Sequence, residues 1–196
     1  SIAVGSRVPW ARARVAAVAT QAYTNPVLGG KIIDYVKGGM GVREAVREAL
    51  NEDYEAEKRQ VIAVDFRGEV AAFTGEEVPA PFNAVTGECY ACAGNLLSSR
   101  EVVTEMSKAF EAGKGLMGRI VAALEAGHRA GGDRRGDKSA AILIVGVHPE
   151  YGVSYDRLVD LRVDLSPSPV EELKVLCKVW VSTAGGWLRR LLRSTM

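Results

Sequence analysis

Chemistry in this chain has to be built mostly from hydroxyls, carboxylates and side-chain amides, because its 196 residues include only two histidines, His128 and His148, and three cysteines. Gln21, Thr24 and Asn25 close an apolar segment as a run of neutral donors and acceptors, the groups a site uses to orient an amide or hold an oxyanion. Asn95, after Gly94, offers the same chemistry from another segment. The same residue types also satisfy loop backbone, and Asn25 before Pro26 suits a turn. The Gly-rich loop at 131–139 carries Asp133, Asp137 and Ser139 up to an apolar run; an ordinary Gly/Asp turn with Arg134 and Arg135 solvated has the same composition. With Asp133 and Ser139, the amide cluster makes a candidate pocket. Cys89 and Cys92 form a lone CxxC, but zinc needs four ligands and residues three apart in a strand face opposite ways. Apolar packing is therefore expected of these two cysteines, and neither a metal nor a cofactor is. His128 at a Gly-flanked helix end reads as a helix-terminus or surface residue, and His148 before Pro149 as a loop residue.

The elements that must position these groups follow from apolar periodicity. A buried strand over 14–21 runs into the polar segment 21–26. Helical spacing predicts two short helices over 31–36 and 42–50, broken at Gly38 and Gly39. Strands over 61–64 and 70–73 flank Asp65-Phe66-Arg67-Gly68, which has turn chemistry and predicts a hairpin. Residues 76–87 read as a loop leading to a strand over 89–93. Amphipathic helices follow over 100–112, with Ser99 as N-cap, and over 116–126. The run 140–145 reads as a central strand buried on both faces. Alternation of Val159, Leu161, Val163 and Leu165 with charged residues predicts a strand with one wet face. Ser168-Pro169 then opens a C-terminal helix, followed by a short basic tail carrying Trp187, Arg189, Arg190 and Arg193.

Composition closes several functional classes. Lys plus Arg 25 against Asp plus Glu 24 leaves a net charge of +1, so no basic field gathers phosphate backbones and nucleic acid is not an expected partner. The longest apolar run, 140–147, is far shorter than a membrane span. An odd, low cysteine count fits a reducing compartment, and with no basic-then-apolar leader at the start a cytoplasmic location is expected. The order of elements suits an α+β fold of antiparallel sheets with paired outer helices, a core over 1–165 and a C-terminal helix and tail over 166–196 that pack on the same domain or a partner subunit.

The strings VGSRVPWAR (4–12), ATQAYTNP (19–26), RQV (59–61), FTG (73–75), GECYACAGN (87–95), EAGHRAGGDRRGDKSAA (125–141) and DLRVD (160–164), with the SPVEEL that follows, resemble in order and spacing an uncharacterised family of bacterial and archaeal proteins described as N-terminal-nucleophile (Ntn) hydrolase-like. The resemblance implies a four-layer αββα sandwich of the proteasome type. In an Ntn hydrolase the side chain of residue 1 is the nucleophile and its α-amine, with an ordinary pKa of roughly 8, is the general base. Ser1 has that chemistry at a processed end. Asp137 and Ser139 match the loop acid and hydroxyl that hold the terminal amine, with spacing one residue shorter than the proteasome pattern; a carboxylate there pairs with the ammonium. Two departures go with the resemblance. The 196-residue sequence starts without the family's hairpin ahead of VGSRVPW, and Tyr90-Ala91-Cys92-Ala93-Gly94-Asn95 stands where relatives read YAVQGN, so different substrate contacts are expected at that strand. The implied function is an autoprocessed, homo-oligomeric amide-bond hydrolase, an amidohydrolase or peptidase, acting on a small molecule or peptide. The other expected reading is a non-catalytic binding or assembly module whose open sheet edge is completed by a partner strand.

Overall fold

The structure is a computed structural model, and it describes residues 1–184 and 186. The basic tail expected from Trp187 onward lies outside the described residues. Four antiparallel strands pair in chain order: β1 (Pro9–Arg12), β2 (Ala16–Ala22), β3 (Arg59–Asp65) and β4 (Val70–Thr74). Between β2 and β3 the chain forms α1 (Pro26–Lys37) and α2 (Val42–Asn51). The pleat then divides the sheet into two faces. Ala16, Val18, Val61, Ala63 and Ala71 point to one side, where they form a core with Leu28, Ile32, Val42, Ala45 and Val46 of the two helices. Ala17, Ala19, Ile62 and Val64 point to the other, register-paired as Ala17 with Val64 and Ala19 with Ile62.

That second face looks toward two smaller hairpins. In the first, β5 (Asn83–Gly87) pairs with β6 (Tyr90–Gly94), and Tyr90 and Cys92 pack against Val102 and Val103 of α3 (Glu101–Ala112). In the second, β7 (Ala140–Val145) pairs with β8 (Arg157–Val163), and the pair packs with Met117 of α4 (Leu116–Arg129) and with Leu173 and Cys177 of α5 (Pro169–Thr183). Helices α3 and α4 lie close because α4 has no side chain at Gly127, where a Cβ would stand 2.8 Å from Met106 Cγ. The described residues thus form a mixed α+β fold, with antiparallel sheets and five α-helices. No helix among the described residues is long and apolar enough to cross a membrane.

Several local expectations are corrected. Residues 83–87 form β5 rather than loop: their sequence has no apolar period, and pairing with β6 organises them. β1, also unexpected, is recruited by β2 through a register from Pro9–Ala19 to Arg12–Ala16. Strand β7 is not central. Among the described residues it pairs with β8 alone, and buried Ala140, Ile142 and Ile144 alternate with half-buried Ala141, Leu143 and Val145. Its apolar run is continuous because one face meets the helices while Ala141 and Leu143 face Pro9, Trp10 and Ala11 across a hollow. Leu165 falls beyond β8 and is exposed. Helix α3 begins after Arg100 and has no side-chain cap, so Ser99 is not its N-cap. Cys89, expected to pack in the core, sits in the exposed β5–β6 turn with φ of 61°, whereas Cys92 is buried as expected; Cys177 is buried as well.

Candidate functional site

The polar end of the sheet's second face is where the expected residues converge. Register places Gln21 of β2, Gln60 of β3 and Thr74 of β4 in one row across three strands. Gln60 is completely buried. Its Nε2 donates to Thr74 Oγ1 at 3.0 Å and to the Asn83 carbonyl at 3.3 Å, and its Oε1 accepts from Gln21 Nε2 at 2.7 Å and from Asn95 Nδ2 at 3.2 Å. Asn95, at the end of β6, thereby drops onto the row from the second layer. Above it opens a cleft of about 600 Å³, lined by Ser1, Gln21, Thr24, Asn95 and Asp133 among others.

The chain start is tied into this cleft by the 131–139 loop. Ser139 Oγ donates to the Ser1 carbonyl at 2.9 Å and accepts from Val4 N at 3.3 Å, and Ala3 N donates to the Asp164 carbonyl. Asp133 stands on the same wall and receives Arg135 through Nε at 2.9 Å and Nη2 at 2.6 Å. Burial alone pushes the Asp133 carboxyl up, but the Arg135 bonds and the positive charge at Ser1 outweigh it and hold the pKa below the usual carboxylate value. Asp137 is engaged elsewhere. Its Oδ2 is 2.6 Å from His128 Nδ1, and its Oδ1 accepts from Asp133 N at 3.3 Å. The hydrogen bond to Asp137 raises the His128 pKa against the opposing effect of burial, with Glu171 adding to the rise. Gly132, at φ of 52°, lets the loop close over this pair, since a Cβ there would lie 2.7 Å from Asp137 Oδ2.

An ion-pair node that sequence reasoning missed reaches the cleft wall through Arg59 and Glu55. Arg59 shares the helix-side face of β3; its Nε and Nη2 reach Asp53 Oδ2 and Oδ1 at 2.9 and 3.2 Å, its Nη2 also reaches Glu55, and its Nη1 donates to the Tyr23 carbonyl. Asn25 belongs here and not to the cleft lining: its Oδ1 caps α1 at Val27 N and its Nδ2 donates to Asp53 Oδ2 at 3.0 Å. The Arg59 guanidinium, helped by Asn25 and the Glu55 amide, holds the Asp53 carboxyl at about 2 despite burial. The Cys92 thiol is pushed up by burial to about 11, which keeps it protonated at neutral pH. No cluster of His, Cys, Asp and Glu among the described residues has metal-binding geometry.

The sequence model of the Family of unknown function (DUF1028) matches residues 1–173. The chain belongs to that family. The crystal structure of protein SPO2555 from Silicibacter pomeroyi, which carries the same DUF1028 family model, is similar to it: the TM-score is 0.84 at 28% identity, over 100% of this chain and 84% of that one. No curated protein matches the sequence. In this DUF1028 chain, then, five of the expected residues from four separate segments line one cleft, Ser139 anchors the segment that supplies Ser1, and Asp137 and Asn25 brace the surroundings. Gln60 was the residue to find. Its signal is a polar side chain placed among apolar neighbours on the face opposite the helices, in register with Gln21.

Proposed function

We propose that this chain is an amide-bond hydrolase of the N-terminal-nucleophile type that holds a small molecule or short peptide in the Ser1–Asn95–Asp133 cleft. The observation that carries the reading is the convergence of Ser1, Gln21, Thr24, Asn95 and Asp133 on one polar cleft. Helices on one side of the four-stranded sheet, and two hairpins backed by α3, α4 and α5 on the other, support an αββα layer order. In the proposed reaction the Ser1 α-amine takes the proton from Ser1 Oγ as the oxygen attacks the substrate carbonyl carbon. The ammonium then gives that proton to the departing amine, leaving an ester on Ser1 that water hydrolyses. Asp133 is the carboxylate assigned to the ammonium, since it lines the cleft with Ser1 and responds to the Ser1 charge even while it holds Arg135, whereas Asp137 is held by His128 and is not part of that lining. Gln21 and Asn95 each give one N–H to Gln60, which turns their oxygens toward substrate donors, and the Thr24 hydroxyl is a further donor that can meet an oxyanion.

The reaction requires Ser1 to be the first residue of the active protein, and the test reads that directly. Intact mass and N-terminal sequencing of protein from its native source are expected to return a free Ser1. A β-lactone probe is expected to acylate Ser1 in the wild type, whereas Ser1→Ala loses the label with an unchanged circular dichroism spectrum and Tm. Equal labelling of the two proteins, or a chain extending upstream of Ser1, overturns the reading and leaves the cleft a binding site.

A further inference from the structure

The hydrogen bonding beneath the cleft fixes which end of each wall amide is turned outward. The Asn83 carbonyl is only an acceptor, so the Gln60 atom facing it at 3.3 Å has to be nitrogen; the same nitrogen meets Thr74 Oγ1 at 3.0 Å. Gln60 Oε1 therefore faces Gln21 and Asn95, and each must present its NH2 group to it. Turning Gln21 over would set two amide oxygens 2.7 Å apart against the fully buried Gln60. Among the described residues the Oε1 of Gln21 and the Oδ1 of Asn95 accept nothing within the protein, and both side chains line the cleft.

Charge narrows the class of ligand. Two guanidiniums on the wall are already neutralised, Arg59 by Asp53 and Glu55, and Arg135 by Asp133. Arg7 lines the same cleft, is exposed, and has no ion pair among the described residues. The wall thus offers two fixed amide oxygens, each beside the second N–H of its own amide, and two positive charges without an ion pair among the described residues, Arg7 and the Ser1 ammonium. A cationic donor is opposed by those charges, while a neutral N–H donor is not.

We propose that the cleft selects a neutral carboxamide that also carries a carboxylate, an acylated or amidated amino acid in chemical class, with the amide N–H groups read by Gln21 and Asn95, Gln60 acting beneath them as the positioning residue, and Arg7 attracting the carboxylate. The proposal deepens the reading of this cleft as the substrate site, and it does not depend on the Ser1 hydroxyl. A site built to receive donors discriminates strongly against an isostere that lacks them, because its own acceptors are left facing lone pairs.

Succinamate and succinate test this, being the same size and differing in one amide against a second carboxylate. In calorimetric or NMR titrations of the full chain, succinamate is expected to bind about tenfold more tightly than succinate. Asn95→Ala, a change on the half-exposed wall, is expected to lower succinamate affinity about fivefold while leaving succinate unchanged. Gln60→Leu, which frees both wall amides to turn, is expected to reduce the preference to less than about twofold. Repeating the titrations in Ser1→Ala separates the two ideas, since the preference persists there whether or not Ser1 is a nucleophile. Equal or tighter binding of succinate, a preference unchanged in Asn95→Ala, or no binding of either compound at tens of millimolar overturns the proposal; if Gln60→Leu does not fold, the Asn95→Ala result decides.

Discussion

Asp53→Ala is expected to lower the unfolding free energy by about 3–5 kcal/mol at neutral pH, the range for stranding a buried charge by removing its partner. The side chains of Arg59 and Asp53 are only 8% and 3% exposed, so the guanidinium left behind has little access to water. The loss also reaches the local chain, because Asp53 receives Asn25 Nδ2 and the Glu55 amide as well as Arg59. The carboxylate therefore joins the end of α2, the entry to α1 and the start of β3 at a single point behind the cleft. A pH signature separates this node from ordinary packing. The folded pKa of Asp53, about 2, lies below its ordinary 3.8. A depressed acid stabilises the fold above its unfolded pKa and loses that contribution as pH falls toward the folded one, here between about pH 4 and pH 2. The shift corresponds to about 2 kcal/mol. Guanidinium unfolding should accordingly show the gap between wild type and Asp53→Asn narrowing by about that amount from pH 5 to pH 2; a gap that stays constant would assign Asp53 a purely steric role.

The contrast between Asp53 and Gln21 shows which parts of the site the sequence makes legible. Gln21, Thr24, Asn95 and Asp133 are polar residues where apolar segments end, and such positions can be read locally because a strand or helix must stop near them. All four line the cleft. Asp53, Arg59 and Gln60 carry no local signal of that kind: the value of Gln60 depends on β2–β3–β4 register, and that of Asp53 on a helix pair bringing its end back to the start of β3. Asn25 was visible as a polar loop residue, but its role divided between capping α1 and holding Asp53 only becomes definite in three dimensions. Secondary structure follows the same rule. The strongly periodic helices α2, α3 and α4 are evident from spacing, with ends shifted by a residue or several, whereas β1 and β5 are short, weakly patterned and exist because a neighbouring strand pairs with them. Asp137 and His128 were each noticed separately; the Gly132 turn that brings them to 2.6 Å was not.

Gly75→Ala is expected to destabilise the protein by about 3 kcal/mol, at the upper end of the cost of overpacking, because the added methyl has no side chain to push aside. A Cβ at this position would lie 2.3 Å from the Glu57 carbonyl oxygen and 2.4 Å from its carbon, so backbone would have to move. The close approach has a structural purpose. Gly75 N donates to the Arg59 carbonyl, and Glu77 N to the Glu57 carbonyl, stitching the chain leaving β4 to the short 3-10 turn at Ala56–Lys58 that delivers Arg59 and Gln60 into β3. Gly118→Ala provides the opposite case within the same molecule. Gly118 is exposed in the first turn of α4, and a Cβ there would meet nothing within 4 Å. That substitution is expected to stabilise the protein by about 0.5 kcal/mol, since alanine loses less backbone entropy than glycine on folding. Chemical denaturation of the two variants should move their midpoints in opposite directions, and a Gly75→Ala midpoint close to wild type would mean that the β4 exit and the 56–58 turn separate at little cost. Because that turn also places Gln60, the destabilised variant should lose the ability to tell succinamate from succinate before it loses its fold, whereas Gly118→Ala keeps the preference intact.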